Sequence, residues 1–387
     1  MWCVSVSFAV FTSACWSYDA SVTAGGSGGS TGLGGKVGMG PNCNRGVVPA
    51  APLPCDVLEG AGNKCVSAHS TVRLLVRNYT GCLYQVQRTD MTTQDIGVVD
   101  GYADAAAQEA FCANTACVIS IVYDQAPFGN HLTPAPPGSA KPTPGKPVPA
   151  NRLKITANGR SVFGMLFRPG EGYRANCYAC PYPPEGLAGI GKAGGTALRD
   201  EPQTMYMVSS QKDLVNGCCF DYGNAEWTGN NDREGTMEAV YLGQGVIWGT
   251  GVQGGPWVMA DLENGLYAGW EDKQDRAIST ALPLKYDFVS AVVVGDTAEK
   301  NGGKGRFALY GGDATAGTLI TTYDGIRPEK PGYVPMQKQG SIILSIGGDN
   351  SDFDGGRFYE GVVANGAATK EIVDALQQAI VAAGYGK

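Results

Sequence analysis

Pro256-Trp-Val-Met-Ala-Asp-Leu-Glu-Asn264 is the stretch whose reading decides the fold. Side chains along a strand alternate between faces, so Val258, Ala260 and Leu262 point together into a core. Trp257, Met259, Asp261 and Glu263 then point the other way. Two carboxylates on one face with a Trp suit a sugar site, where an aromatic platform supports the ring and acids handle hydroxyls and the glycosidic bond. The other reading is an exposed polar face with an incidental Trp, and the pattern alone leaves both open.

Working outward, strand-like runs recur at Val118-Tyr123, Ser161-Phe167, Met205-Ser209, Thr236-Leu242, Phe288-Val294, Arg306-Tyr310, Thr318-Tyr323, Ser341-Ile346 and Arg357-Val363. Many short strands separated by Gly-rich turns predict an all-β chain folded as a two-sheet β-sandwich or jelly roll. Helices are expected to be few and short. Ser67 to Tyr79 and Asp104 to Cys112 could each make a few turns. Ile372, Val373, Leu376, Ala379, Ile380 and Ala383 recur at helical spacing, with Gly384 as the stop. Prolines crowd the run from Pro134 to Pro149, which predicts an extended surface loop.

The chain has 387 residues, enough to bury a substantial core, and 43% of them are hydrophobic. A net charge of -7 argues against a nucleic-acid partner, because neutralising phosphates needs clustered Lys and Arg. No apolar run approaches the ~20 residues of a membrane-spanning helix, so no membrane partner is expected. Val4 to Cys15 is apolar and followed by small residues, so residues 1–24 read as a signal-like or truncated N-terminal segment. Residues 25–53 read as a Gly/Pro-rich linker and 54–387 as one catalytic β-sandwich domain.

Twelve cysteines with only two histidines, His69 and His131, point to disulfides over zinc. Cys55/Cys65 and Cys112/Cys117 suggest short loops and Cys177–Cys180 a local bond. Cys3, Cys15, Cys43 and Cys82 are left without assignment, Cys43–Cys82 being one guess among the open pairings. Asn78-Tyr79-Thr80 is a glycosylation sequon. Together these features predict a secreted, extracellular protein.

A second informative segment is Ile342-Ile-Leu-Ser-Ile-Gly-Gly-Asp-Asn350, an apolar strand that runs out through Gly347-Gly348 and delivers Asp349. Glycines there allow close backbone approach to a ligand, although Gly-Gly-Asp-Asn is also good turn chemistry. A third is Cys218-Cys219, adjacent cysteines about 3.8 Å apart across a trans peptide, short of the usual ~4.4–6.8 Å span. A bond between them demands a strained ring, unless each pairs elsewhere. Glycoside hydrolysis usually needs two carboxyl groups. Glu263 and Asp349 are the candidate pair, although spacing alone does not select them and Asp221, Glu226, Glu238, Asp354 and Glu360 are equally available as titratable groups.

Cys218-Cys-Phe-Asp-Tyr-Gly-Asn-Ala-Glu226, Trp257-Val-Met-Ala-Asp-Leu-Glu-Asn-Gly-Leu266 and Ile346-Gly-Gly-Asp-Asn-Ser351 together resemble the catalytic domain of the fungal α-L-arabinofuranosidase B family, glycoside hydrolase family 54. Ala68-His-Ser-Thr71, Leu83-Tyr-Gln-Val-Gln-Arg88, Phe111-Cys-Ala-Asn-Thr115 and Tyr359-Glu-Gly-Val362 extend the match, which runs from about Cys55 to Lys387. The resemblance implies a concanavalin-like β-sandwich and retaining, exo-acting hydrolysis of terminal α-L-arabinofuranosides from arabinoxylan or arabinan, without cofactor or metal. It implies Glu263 as nucleophile and Asp349 as general acid/base. Asp261 and Asn264 correspond to residues that hold sugar hydroxyls, Trp248 to an aromatic wall, and Gly348 to a backbone contact. Cys218–Cys219 corresponds to a vicinal disulfide against the sugar, and the family pattern also supports Cys55–Cys65 and Cys112–Cys117. The alternatives are a non-catalytic, lectin-like sandwich and a related exo-glycosidase such as a β-xylosidase.

Overall fold

In the computed structural model, residues 43–175, 194–245, 249–271 and 277–387 are described. Val289–Gly295, Val-Ser-Ala-Val-Val-Val-Gly, shows why the chain folds as it does. A buried β-branched run of this kind suits the middle of a sheet covered on both faces. It lies between Gln203–Ser209 and Phe307–Asp313 in a six-stranded antiparallel sheet, which continues to Ile320–Gly325 on one side. Glu360–Asn365 and Cys65–Ser70 complete the other side.

A seven-stranded antiparallel sheet runs in the order Leu266–Tyr267, Trp257–Asp261, Glu238–Gly243, Asp221–Ala225, Ser341–Leu344, Tyr173–Ala175, Thr133–Pro134. Its strands Glu238–Gly243 and Trp257–Asp261 pack against Val289–Gly295, and Asp221–Ala225 packs against Glu360–Asn365. The two sheets therefore enclose a shared apolar core, the sandwich expected from the strand pattern. Helices are few among the described residues: Pro54–Gly60, Ala105–Phe111, Lys300–Gly303 and Lys370–Val381. The last buries Val373, Leu376 and Ile380, contacts Val289–Gly295, and is followed by Gly384 at φ +66°.

Ser67 to Tyr79 is not helical. Cys65–Ser70 is an edge strand antiparallel to Glu360–Asn365. Helix propensity is a weak prior, and a waiting sheet edge overrides it. Ser70 Oγ then accepts from the N–H groups of Val72 and Arg73 at 2.9 and 3.1 Å, turning the chain away from the strand. Part of the segment read as linker, residues 25–53, is tied to the rest of the chain. Asn44–Arg45 pairs in parallel with Val98–Val99, and Cys43 is disulfide-bonded to Cys82. Cys55–Cys65 and Cys112–Cys117 are bonded too, with Cα separations of 5.8 and 5.7 Å. Cys177 and Cys180 lie outside the described residues. Asn78 is exposed in a turn.

One buried ion pair ties sheet to loop. Arg73 Nε and Nη2 donate to Glu360 at 2.6 and 2.7 Å, and the hydroxyls of Tyr206 and Tyr385 donate to the same carboxylate at 3.0 and 2.6 Å. Arg73→Ala strands a buried charge, so urea denaturation is expected to show a loss of about 3–5 kcal/mol. The double change Arg73→Met with Glu360→Leu should cost clearly less, since neither partner is then left charged.

Candidate active site

The strand Trp257–Asp261 stops at Asp261, two residues short of the sequence expectation. Asp261 Oδ1 accepts the N–H of Glu263 at 3.0 Å, a local bond that competes with the ladder and turns the chain. Glu263 and Asn264 sit at φ +61° and +54°, in the left-handed region. That turn is held from outside: Tyr333 donates its hydroxyl to the Glu263 carbonyl at 2.8 Å, and Gly235 N–H donates to Leu262 O at 2.8 Å. Asn264 and Asn231 exchange side-chain amide bonds at 2.9 and 3.2 Å. Glu263 thus reaches the cleft from a clamped turn and not from strand alternation.

Asp349 arrives from the other side. After Ser341–Leu344 the chain passes Ser345 at φ +60° and forms a tight turn in which Asn350 N–H donates to Gly347 O and Gly347 N–H to Ser351 O, both at 3.0 Å. Ser351 N–H donates to Asp349 Oδ1 at 3.0 Å, orienting that carboxyl. Arg174, almost fully buried, donates from Nη1 to Gly348 O at 2.7 Å, and its guanidinium also reaches Asn350 Oδ1 and the Glu226 carbonyl. The proline-rich segment leans on this turn: Asn350 Nδ2 donates to Pro136 O at 2.6 Å, and Ala140 N–H donates to Asp349 O at 3.1 Å. It is a loop, as expected, but it braces the Asp349 turn instead of running free.

The two turns face each other across a cleft of about 200 Å³ lined by Cys218, Cys219, Asp261, Glu263, Asn264, Gly348 and Asp349, with Asn231 and Ser351 added. Every selected site residue in the described chain therefore meets at one place; Trp248 lies outside the described residues. Trp257 does not line the cleft. Its indole donates to Val252 O at 2.9 Å and the ring is buried, so it packs the sheet instead of carrying a sugar. Cys218 and Cys219 are bonded to each other, and Cys218 Sγ lies 3.6 Å from Ser351 Oγ. Among the described residues, Cys218, Cys219 and Asp261 are the group whose potential metal-ligand atoms cluster, within 4.8 Å of one another. Metal ligation by cysteine requires thiolates, and sulfurs bonded to each other supply none.

Behind the cleft wall lie two carboxyls the sequence offered without selecting, Asp221 and Glu226, both fully buried. With Asp261 and Glu263 they form a packed acidic cluster. Burial, reinforced by Asp261, holds Asp221 well above the ordinary carboxyl range. Burial likewise raises Asp261 and Glu226 to about 7, the latter against the pull of Thr236 and Arg174. Glu263 is raised to about 11 by burial and then by the charges of Glu226, Asp261 and Asp349. Like charges this close cannot all ionise, so the cluster retains protons at neutral pH. Of the remaining candidates, Glu238 pairs with buried Lys338, Glu360 with Arg73, and Asp354 accepts from Tyr241 at 3.2 Å. None of these three lines the cleft.

The family model for "Alpha-L-arabinofuranosidase B, catalytic" matches residues 54–386. The chain belongs to the α-L-arabinofuranosidase B catalytic family. Within that family it is 43% identical over 351 residues to the probable α-L-arabinofuranosidase B of Aspergillus flavus, covering 88% of this chain and 64% of the relative. The α-L-arabinofuranosidase B of Aspergillus niger is 43% identical over 340 residues, covering 86% and 63%. The chain thus spans less than two thirds of the length of these curated relatives. A solved arabinofuranosidase complexed with arabinofuranosyl-α-1,2-xylobiose superposes with a TM-score of 0.76 at 41% identity, over 86% of this chain and 65% of that one. A glutamate-to-glutamine mutant of a family 54 α-L-arabinofuranosidase, soaked with 4-nitrophenyl α-L-arabinofuranoside, gives 0.75 at 40% identity, over the same shares.

Proposed function

We propose that this chain is a retaining, exo-acting α-L-arabinofuranosidase that removes terminal α-L-arabinofuranosyl groups from arabinoxylan, arabinan or related polysaccharides. The observation that carries the reading is the convergence of Glu263 and Asp349 on one small cleft beside Asp261, Asn264 and the Cys218–Cys219 disulfide. About 200 Å³ is below the ~300–1,000 Å³ of sites for drug-sized ligands, which suits one terminal sugar and favours exo action. The relatives' ligands, an arabinofuranosyl-xylobiose and an aryl arabinofuranoside, support the same substrate class.

In this reading Asp349 gives its proton to the glycosidic oxygen while the Glu263 carboxylate attacks the anomeric carbon, and the bond to the aglycone breaks. Asp349, now a carboxylate, takes a proton from water, which releases arabinose from Glu263 with retained configuration. Asp261 and Asn264 bind sugar hydroxyls, Gly348 offers its backbone, the vicinal disulfide forms an apolar floor, and Trp248 forms an aromatic wall. Residues 54–387 are the catalytic domain. Four disulfides among the described residues favour an oxidising, extracellular destination, and exposed Asn78 suits glycosylation there.

The test is hydrolysis of 4-nitrophenyl α-L-arabinofuranoside against the β-D-xyloside. A preference for the arabinofuranoside of at least about a hundredfold in kcat/KM, or ~2.7 kcal/mol in transition-state binding, is expected. Preference for the xyloside would make the chain a β-xylosidase, and sugar binding without turnover a lectin-like module.

A further inference from the structure

A nucleophile must be ionised when it attacks, yet burial and the neighbouring acids hold the Glu263 carboxyl far above the ordinary range, at about 11. Resting on the assignment of Glu263 as nucleophile, we propose that Glu226 is a positioning residue that takes up the Glu263 proton as the sugar is attacked and returns it when the sugar leaves.

The geometry of Gly348 carries this. A Cβ built there would collide with Glu226 Oε2 and lie 2.8 Å from Glu263 Oε2, so the glycine's missing side chain is what lets the two carboxyls meet. Both carboxyl oxygens lie beside that one point, so a single proton held between them would serve both acids. Glu226 is sealed from solvent and does not line the cleft, whereas Glu263 opens onto it. Among the described residues Glu226 Oε2 has no hydrogen-bond partner. A buried oxygen of this kind costs about 1–3 kcal/mol unless satisfied, and Glu263 is positioned to satisfy it.

The surroundings also separate the two ends. Glu263 faces the carboxyls of Asp261 and Asp349, with Asp221 behind Asp261. Glu226 faces the hydroxyl of Thr236 and the guanidinium of Arg174. Thr236 Oγ1 lies 2.6 Å from Arg233 O, which can only accept, and also contacts Glu226 Oε1. A hydroxyl that can either donate to Glu226 or turn its proton to Arg233 serves both the ionised and the protonated acid. Before sugar binds, burial and the neighbouring Glu226 hold the proton on Glu263. As the anomeric carbon becomes positive, charge on Glu263 is favoured. The O–H bond of Glu263 then breaks, a new one forms at Glu226 Oε2, and the freed electron pair attacks carbon. Hydrolysis of the arabinosyl ester leaves Glu263 as a carboxylate, which recovers the proton from Glu226.

The decisive variant is Glu226→Gln, an isostere that can hydrogen-bond to Glu263 but cannot take its proton. A carboxyl pair sharing one proton gives up the other more readily than a lone buried acid does. The acid limb of the kcat/KM–pH profile on 4-nitrophenyl α-L-arabinofuranoside is therefore expected to rise by about one unit in Glu226→Gln. That shift is an about tenfold loss at pH values below the wild-type limb, shrinking as pH rises. Thr236→Val, which removes the hydroxyl partner of Glu226, should move the limb in the same direction by less. An acid limb that stays in place in both folded variants overturns the proposal, with or without a uniform loss of rate, because a filler role cannot move a titration. If Glu226→Gln does not fold, the Thr236→Val limb alone decides. Wild-type activity abolished by Glu263→Gln upholds the arabinofuranosidase reading whatever these variants show, whereas an inactive wild type removes that reading itself.

Discussion

Glu263→Gln is expected to lower kcat on 4-nitrophenyl α-L-arabinofuranoside by at least about a thousandfold while leaving the melting temperature within a few degrees of wild type. The amide occupies the same volume and keeps a polar contact to Glu226, so the cluster stays packed. It cannot form the glycosyl ester, so the covalent route closes. The main-chain contacts of residue 263, its N–H to Asp261 and its carbonyl to the Tyr333 hydroxyl, do not depend on the side chain, and the turn survives. Removing a carboxyl from a crowded acidic cluster also relieves repulsion, so the variant should be no less stable than its parent. A folded variant within tenfold of wild-type kcat would exclude Glu263 as the nucleophile.

Asp349→Ala is the second large effect, and its size depends on the leaving group. A sugar hydroxyl leaves poorly unless protonated, so release of arabinose from an arabinofuranosyl xylo-oligosaccharide should fall by about 10³–10⁴. 4-Nitrophenolate leaves without help, so glycosylation from the aryl glycoside should suffer far less and the slow step becomes attack of water on the arabinosyl ester. Azide needs no general base, so adding it should restore aryl glycoside turnover in Asp349→Ala and leave wild type unaffected. The turn should tolerate the change only partly, because Asp349 Oδ1 accepts the Ser351 N–H. Equal losses on both substrates, with no azide response, would assign Asp349 a structural role.

The fold was legible where local pattern and tertiary demand agree. The alternation across Trp257–Asp261 and the buried run Val289–Gly295 read as strands because both sit in sheet interiors, and the 3.6-residue period of Lys370–Val381 reads as a helix packed by one face. Ser67 to Tyr79 was misread because its conformation is set by pairing with Glu360–Asn365, almost 300 residues away. Trp257 shares a sheet face with Asp261, yet alternation assigns a face and says nothing of what covers it. The cleft residues were recognisable chiefly through their motif resemblance, since the pairing of Glu263 with Asp349 spans two separate turns. Arg174, and the role of Glu226, were beyond reach for the same reason: both depend on long-range contacts around Gly348 that no local spacing encodes. Glu226 did stand within a recognised motif, Cys218 to Glu226, and an acid directly after the strand Asp221–Ala225 was the available signal.

The most direct test of the central claim is to incubate the protein with an arabinofuranose-configured cyclic sulfate, an electrophile that esterifies the attacking carboxylate, and to map the adduct by peptide mass spectrometry. One sugar-derived adduct on Glu263, formed as activity is lost and absent from Glu263→Gln, is the predicted result. An active enzyme whose adduct falls on Glu226, Asp261 or Asp349, or which resists labelling altogether, would contradict it.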